Sequence, residues 1–297
     1  MRIRPLHRYF GVEVEDLDLN TVRSDVSFPQ IRELFETHSL LLFRNQSLSD
    51  ETHFKLAKLF GPIEDRSDTS MSREGCVAPV SNARNSELNA EQAHQHLLHL
   101  QANMLWHTDS TFLPFPALAN LLRAEQLPDS GGETEFVSTR AGFRSLPKEE
   151  QQNLRHTWFW HRYSHSRAKI DLPMSKLEKF TMWKDQKWRA VWRNPVNGEE
   201  ALYIASHVFS VEGMDKESSE AYVDGLLDAM TQPDAIYRHH WLLGDIILWD
   251  ERATLHRGRP WPYDQTRTLM SACVSARVCD GLDSVSPECV TTRLDND

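Results

Sequence analysis

The sequence places two histidines and an aspartate in a pattern that needs distant parts of the chain to meet. His107 and Asp109 are separated by one residue, and His256 lies far downstream, where it is expected to end an apolar, strand-like run that contains residues 245–250. In a β-strand, residues two apart project from the same side, so His107 and Asp109 could reach one metal ion. Two histidines and one carboxylate can occupy one face of Fe(II) and leave the opposite face open. The pattern therefore predicts a fold in which His256 joins the other two side chains.

A single arginine strengthens this interpretation. A His-x-Asp pair alone is equally compatible with an exposed polar strand end, because 14 histidines and 43 acidic residues produce such pairs by chance. Arg267, however, follows His256 by eleven residues (267 − 256 = 11). An arginine on the neighbouring inward strand would present a planar, doubly donating group to a carboxylate. Such a group could bind a carboxylate of a molecule held beside the metal.

Several sequence blocks, in the same order and spacing, resemble the taurine/2,4-dichlorophenoxyacetate dioxygenase family. The resemblance extends from the N-terminal segment to Arg267 and covers most of the chain. Within that family, the sequence is most similar to the aryloxyalkanoate dioxygenases, which cleave phenoxyacetate- and phenoxypropionate-type compounds. The blocks that carry the resemblance are Asn103–His107, Trp106–Phe112, Gly131–Phe136, Tyr163–Arg167 and Leu248–Arg257.

The resemblance implies an oxygenase that uses Fe(II), the cosubstrate 2-oxoglutarate and O2. His107, Asp109 and His256 would bind the iron, while Arg267 and Thr134 would hold the distal carboxylate of 2-oxoglutarate. The expected reaction is hydroxylation of a C–H bond in a small carboxylate-bearing substrate, aromatic or aryloxy, with release of succinate and CO2. From the residues alone, Thr134 is also compatible with a turn hydroxyl that caps the backbone after two glycines.

The substrate end of the site departs from the family pattern at two positions. Many relatives read Trp-Asp-Asn-Arg where this chain has Glu251 as the third residue, and some carry a second arginine where it has Ser271. The substrate carboxylate therefore needs another cation, and both Arg167 and Lys169 are candidates that could equally be solvated surface charges. The residues predicted to contact substrate are Asn103, Tyr163, Ser164, Arg167 and Lys169.

Three other functions are compatible with the same residues. A zinc-dependent hydrolase could use the two histidines and the aspartate to activate a water molecule. A jelly-roll binding protein could retain the residues of the site without catalysis. A dioxygenase of the same chemistry could act on a sulfonate or another metabolite. Succinate release separates the first two from an oxygenase, and a substrate panel separates the third.

Composition favours a soluble protein with a small-molecule partner. The net charge of −10 and the pI near 5.8 argue against general affinity for nucleic acid, which usually requires a basic surface. No apolar run approaches the roughly 20 residues of a membrane helix, and the first residues do not resemble a secretory signal. The four cysteines lack zinc-type spacing and are typical of free thiols in a reducing, cytoplasmic compartment. A homo-oligomer is compatible with this composition.

Short apolar segments mixed with helices predict a mainly β fold with flanking helices, specifically a double-stranded β-helix or jelly roll. A helix is predicted over residues 50–60, with Ser49 as its N-cap and Gly61 as its stop, and another over 216–231. We expect one domain over residues 1–297. The polar stretch at about 65–102 is predicted to be a long loop or lid, and the tail after about residue 280 to be loose. Further strands are predicted over residues 39–44, 118–124, 201–206, 236–241, 245–249 and 268–277.

Overall fold

The computed structural model describes residues 1–64, 77–83 and 88–286. The strands in these residues are β1 (Arg2–Pro5), β2 (Val12–Glu15), β3 (Leu40–Phe43), β4 (Ala78–Ser81), β5 (Ala117–Gln126), β6 (Thr134–Ser138), β7 (Trp158–His161), β8 (Gln186–Arg189), β9 (Val191–Arg193), β10 (Glu200–Leu202), β11 (Val208–Val211), β12 (Tyr237–His239), β13 (Ile246–Asp250), β14 (Thr254–Gly258) and β15 (Thr268–Ser275). The helices are α1 (Phe28–His38), α2 (Asp50–Phe60), α3 (Ala90–Ala102), α4 (Thr139–Ser145), α5 (Lys148–His156), α6 (Tyr163–Ala168), α7 (Leu172–Ser175), α8 (Glu178–Thr181), α9 (Lys216–Met230) and α10 (Leu282–Val285).

Two sheets organise the chain around the site. The major sheet has seven strands in the order β1-β2-β3-β13-β5-β15-β4, and the minor sheet has three in the order β12-β6-β14. Strands β11, β7 and β8 form another small sheet, and β10 pairs with β9. Almost all of the strand pairs are antiparallel, and only β2 and β3 among the described strands run parallel to each other. The prediction of a mainly β fold with flanking helices is confirmed.

Both faces of the major sheet are covered, and strand β13 shows how. Ile246 and Leu248 project to the side where α1 and α2 pack, whereas Ile247 and Trp249 project to the opposite side, toward Phe136 of the minor sheet. This alternation follows from the two-residue period of a strand. Because all four residues are apolar and buried, β13 lies in the centre of the sheet, between β3 and β5.

Helix α2 forms as the local signals predict. The Ser49 side chain accepts a hydrogen bond from the Thr52 amide, and Gly61 follows the last helical residue. One face of the helix packs against the sheet, and the residues buried on it are His53, Leu56, Ala57 and Phe60. The predicted helix over residues 216–231 is also confirmed, as α9. No helix among the described residues has the length and apolar character needed to cross a membrane.

Four predictions need correction. Residues 90–102 form α3 rather than a loop, because Asn89 and Gln92 make a reciprocal capping box, and residues 78–81 form β4 at the edge of the major sheet. The rest of the predicted lid, at residues 65–76 and 84–87, lies outside the described residues. Residues 282–285 form α10, which buries Leu282 and Val285, so this part of the tail is packed. Strand β10 ends at Leu202, earlier than predicted, because the chain then turns and the Ser206 amide donates to the Trp106 carbonyl.

A buried ionic network ties the helical layer to the major sheet. The Arg252 guanidinium is fully buried and donates to Asp250 at 2.8 Å and to Glu36 of α1 at 2.6 Å. Arg140 of α4 donates to the other oxygen of Asp250 at 3.1 Å. Asn194 completes the cluster by donating to Glu36 at 2.6 Å. The turn between β13 and β14, which precedes His256, is therefore fixed by charge pairing on the helical side.

Candidate active site

The backbones of His107 and His256 are hydrogen-bonded directly to each other. The His107 amide donates to the His256 carbonyl at 3.0 Å, and the His256 amide donates to the His107 carbonyl at 2.8 Å. This reciprocal pair is the hydrogen-bonded type of antiparallel contact, in which opposite side chains share one face. The two imidazole rings consequently lie 4.2 Å apart between centroids. His256 belongs to β14, so the earlier expectation that it ends the β13 run is corrected.

Asp109 reaches the two histidines from a turn rather than from a strand. The predicted strand around residues 107–109 is limited to a single bridge at His107, and Ser110 has a φ of 59°, in the left-handed region. Asp109 Oδ1 nevertheless lies 3.7 Å from His107 Nε2 and 4.0 Å from His256 Nε2. Ligand atoms of the three side chains all lie within 4.8 Å of one another. The predicted triad therefore forms, although the local backbone differs from the prediction.

The chemistry of these donors fits a divalent transition metal. Burial lowers the pKa of His107, and burial with the nearby His107 lowers the pKa of His256 to about 3, so both rings are neutral as metal binding requires. His107 Nδ1 lies 2.7 Å from the Leu105 carbonyl, which leaves Nε2 free to coordinate. Metal–donor distances of about 2.1 Å need only a small inward shift of each side chain. Three ligands on one side leave the opposite side open, as in iron oxygenases.

Asp109 is oriented by residues that the sequence did not indicate. Asn120 of β5 donates to Asp109 Oδ2 at 2.9 Å, and the other oxygen, Oδ1, faces the two histidines. The Ser271 hydroxyl of β15 in turn donates to Asn120 Oδ1 at 2.8 Å. Ser271 is buried, and it occupies the position where some relatives carry a second arginine. In this chain the residue at that position contacts Asn120, which in turn contacts Asp109.

Arg267 and Thr134 form the second part of the site. Arg267 lies directly before β15, is almost fully buried, and donates to the Gly132 carbonyl at 2.9 Å. Its Nη2 lies 3.5 Å from Thr134 Oγ1, which also accepts a hydrogen bond from Trp241 at 3.0 Å. Burial lowers the pKa of Arg267 to about 10, and no carboxylate in the described ranges forms an ion pair with it. A buried cation of this kind needs an anionic partner.

The register of the minor sheet places Arg267 at a suitable distance from the triad. His256 pairs with Phe136, and Thr134 lies two residues further along the same strand, on the same face. Two residues of strand span about 6.6 Å, which suits a five-carbon dicarboxylate lying between the metal and Thr134. Gly132 is required here, because its φ is +71° and a Cβ would lie 2.8 Å from Arg267 Cδ.

A second buried guanidinium, that of Arg167, lies beside the triad. Arg167 is on α6, is 5% exposed, and donates to the Tyr163 hydroxyl and the Ser166 hydroxyl, each at 2.9 Å. Its guanidinium carbon lies 4.3 Å from the centre of the Tyr163 ring, which is 6.0 Å from the His207 ring. Burial lowers the pKa of His207 and of His107, and the charge of Arg167 lowers both further. No carboxylate of residues 1–64, 77–83 or 88–286 pairs with it.

Aromatic rings form a wall between Arg167 and the triad. Phe112 stacks on Tyr163 with 4.0 Å between centroids, and His207 lies 5.1 Å from Phe112 and 6.3 Å from His107. Phe180 closes the outer side at 5.5 Å from Tyr163. Sequence reasoning missed His207, because its place is set by the turn after β10 rather than by any local motif. The wall suits a flat, apolar ligand.

Three other residues were predicted to contact substrate, namely Asn103, Ser164 and Lys169, and they do not all lie in the same region of the structure. Asn103 follows α3, and its carbonyl accepts from the Gly258 amide at 2.9 Å, which holds it next to β14. Ser164 follows Tyr163 on α6. Lys169 does not join the group, because its ammonium lies 3.3 Å from Asp224 of α9 and lines an outer cleft with Arg162 and Phe209. Of the two candidate cations, the structure places only Arg167 beside the triad.

Most of the chain matches one family of known proteins. The family model described as "Taurine catabolism dioxygenase TauD, TfdA family" matches residues 2–273. This chain belongs to the TauD/TfdA family. A 2,4-dichlorophenoxyacetate dioxygenase of Cupriavidus pinatubonensis is 32% identical over 274 residues, covering 90% of this chain and 95% of that protein. An (S)-phenoxypropionate/alpha-ketoglutarate dioxygenase of Sphingobium herbicidovorans is 29% identical, covering 90% and 92%.

The structural comparison agrees with the sequence comparison. The crystal structure of AAD-2 in complex with Mn(II) and N-oxalylglycine superposes with a TM-score of 0.84 at 30% identity, covering 93% of this chain and 98% of that one. The TauD/TfdA resemblance seen in the sequence is confirmed, and the protein is an Fe(II)- and 2-oxoglutarate-dependent dioxygenase. A zinc hydrolase and a non-catalytic binding protein are thereby set aside.

Proposed function

We propose that this dioxygenase hydroxylates an aryloxy carboxylate at the carbon beside the ether oxygen. The observation that carries the proposal is Arg167, a buried guanidinium without a carboxylate partner, separated from the triad by an aromatic wall. A carboxylate bound at Arg167 and an aromatic ring against Phe112 and Tyr163 would direct the intervening carbon toward the triad. The relatives that act on 2,4-dichlorophenoxyacetate and (S)-phenoxypropionate support this substrate class.

In this proposal His107, Asp109 and His256 bind the iron, and Arg267 with Thr134 binds the distal carboxylate of 2-oxoglutarate. The iron, with its cosubstrate and O2, supplies the oxidising chemistry. The protein contributes orientation: Asn120 aims Asp109, Trp241 aims Thr134, and the aromatic wall excludes water.

The reaction ends without further help from the metal. Hydroxylation at the carbon that carries the aryloxy group gives a product with hydroxyl and ether oxygens on one carbon. Its C–O bond to the aryl oxygen then breaks, a C=O bond forms, and the hydroxyl proton passes to the phenolate. The products are a phenol and a keto acid, together with succinate and CO2.

The jelly-roll architecture, the domain organisation, the location and the oligomeric state are also proposals. We infer that the two sheets form a double-stranded β-helix, or jelly roll, because a single apolar cluster, containing Leu122, Phe136 and Trp249, packs between them. A single domain over residues 1–297, a lid within about 65–102, a cytoplasmic location, and a homo-oligomer without nucleic-acid or membrane partners stay predictions. Among the described residues, Cys273 and Cys279 form no disulfide, and the Cys273 thiol donates to Glu64 at 3.3 Å; Cys76 and Cys289 lie outside the described residues.

A substrate panel tests the proposed function. The iron-loaded enzyme should be assayed with phenoxyacetate, with both enantiomers of 2-phenoxypropionate, and with taurine, scoring succinate and phenol separately. We expect succinate and phenol in equal amounts with at least one aryloxy acid. Turnover of taurine in preference to every aryloxy acid would contradict the substrate class and leave the iron chemistry intact.

Arg167→Met should weaken aryloxy-acid binding. A charge-assisted hydrogen bond contributes about 1.5–3 kcal/mol, so the substrate KM should rise roughly 10- to 150-fold while the 2-oxoglutarate KM stays unchanged. Lys169→Met is the matched control, because it removes a cation that is two residues away but paired with Asp224. Equal KM values for Arg167→Met and the wild type would show that the carboxylate binds elsewhere.

Arg267→Ala should have the opposite selectivity. The 2-oxoglutarate KM should rise by a similar factor, because the variant removes the buried guanidinium that binds the distal carboxylate of 2-oxoglutarate. The KM for the aryloxy acid should change little. Arg238→Ala provides the control, since that arginine lies on β12 of the minor sheet, is half exposed and pairs with Glu135. An unchanged cosubstrate KM in Arg267→Ala would disprove the assignment of this pocket.

A further inference from the structure

Glu251 lies directly behind the triad and contacts the segment that links two of its members. Its Oε2 accepts the Thr108 hydroxyl at 2.7 Å and the Asp109 amide at 2.9 Å. The side chain is 1% exposed. The Thr108 side chain therefore contacts Glu251. Glu251 thus fixes the backbone between His107 and Asp109.

The third member, His256, has an unsatisfied atom on the same side. Its Nδ1 is buried without a hydrogen-bond partner, and Glu251 Oε2 lies 3.9 Å from it. Glu251 Oε1 is also buried without a partner. When Nε2 of a histidine binds a metal, Nδ1 carries the proton and requires an acceptor. His107 has such an acceptor in the Leu105 carbonyl, and His256 has none in the backbone.

We propose that Glu251 is a positioning residue for the metal site. On metal binding, a shift of about 1 Å brings its carboxylate into hydrogen-bonding distance of His256 Nδ1–H. One side chain then sets the ring orientation of His256 and, through the backbone amide, the position of Asp109. This inference rests on the proposed ligand set of His107, Asp109 and His256, and it concerns a position where many family members carry a shorter amide side chain.

Metal titration tests the proposal without any turnover. Anaerobic Co(II) titration of the wild type, Glu251→Gln and Glu251→Ala should show affinity lower by about 10- to 100-fold in the variants, with alanine weaker than glutamine. Glu13→Gln is the matched control, because Glu13 is another buried glutamate but lies on β2 and pairs with Arg4. A wild type that binds no Co(II) would refute the ligand set. Wild-type affinity in both Glu251 variants would refute only the role of Glu251.

Nuclear magnetic resonance on the wild type keeps the proposal testable if a variant fails to fold. In Zn(II)-loaded protein with 15N-labelled histidine, we expect a slowly exchanging, hydrogen-bonded Nδ1–H resonance that is absent from His256→Gln. In Glu251→Gln this resonance should shift upfield or broaden, while the corresponding His107 resonance is unchanged. A His256 ring that carries its proton on Nε2, or an Nδ1–H that exchanges freely with water, would overturn the proposal.

Discussion

Replacing Asp109 with alanine is expected to abolish turnover while leaving the protein folded. Asp109 supplies the only anionic ligand in the proposed triad, and its carboxylate accepts a hydrogen bond from Asn120 in the folded chain. The surrounding core is apolar and does not depend on this group. Succinate release should therefore fall to the background of metal-free enzyme, and the far-UV circular dichroism spectrum should remain that of the wild type.

His107→Ala and His256→Ala should give the same result, because each also removes one of three ligands. Asp228→Ala is the control, since Asp228 is an exposed aspartate on α9. It should retain full activity. Wild-type succinate release by Asp109→Ala, with unchanged metal affinity, would mean that the metal is held by other residues.

Arg252→Ala is expected to produce the largest loss of stability. The substitution leaves Asp250 and Glu36, both buried, without their main cationic partner. Removing one partner of a buried pair typically costs about 3–5 kcal/mol, and here Asp250 keeps Arg140 and Glu36 keeps Arg32, so we expect a loss near the lower end of that range. The free energy of unfolding, measured with urea at neutral pH, should fall by this amount.

Arg155→Ala is the comparison for this experiment. Arg155 makes a paired contact with Glu200 at 2.7 Å, but both side chains are about one-third exposed. Solvent screening limits such a pair to about 1 kcal/mol or less. If the two variants were destabilised equally, the buried network could not be what anchors α1 and α4 to the turn before His256.

The parts of the site that the sequence predicted are those with local or family-specific patterns. His107, Asp109, His256, Thr134 and Arg267 come together as expected, although Asp109 lies in a turn. The sequence did not indicate Asn120, His207 or the role of Glu251, because their contacts join segments far apart in the chain. Lys169 was a reasonable candidate from its position, and only the packing of α9 reveals that Asp224 pairs with it.

The same distinction applies to secondary structure. Helix α2 was predicted because its cap and stop are local chemistry at Ser49 and Gly61. Helix α3 was missed because its polar residues lack a clear apolar stripe, even though Asn89 and Gln92 carried a recognisable capping signal. The end of β10 depended on a hydrogen bond to Trp106, which no window of neighbouring residues contains.

The reciprocal backbone pair between His107 and His256 means that folding alone brings two of the three proposed metal ligands together. Two amide hydrogen bonds hold these segments side by side, so the ordering cost of bringing them together is met when the chain folds. We therefore expect removal of the metal to leave the backbone of both segments in place, and the metal-free protein to bind a divalent ion again without refolding.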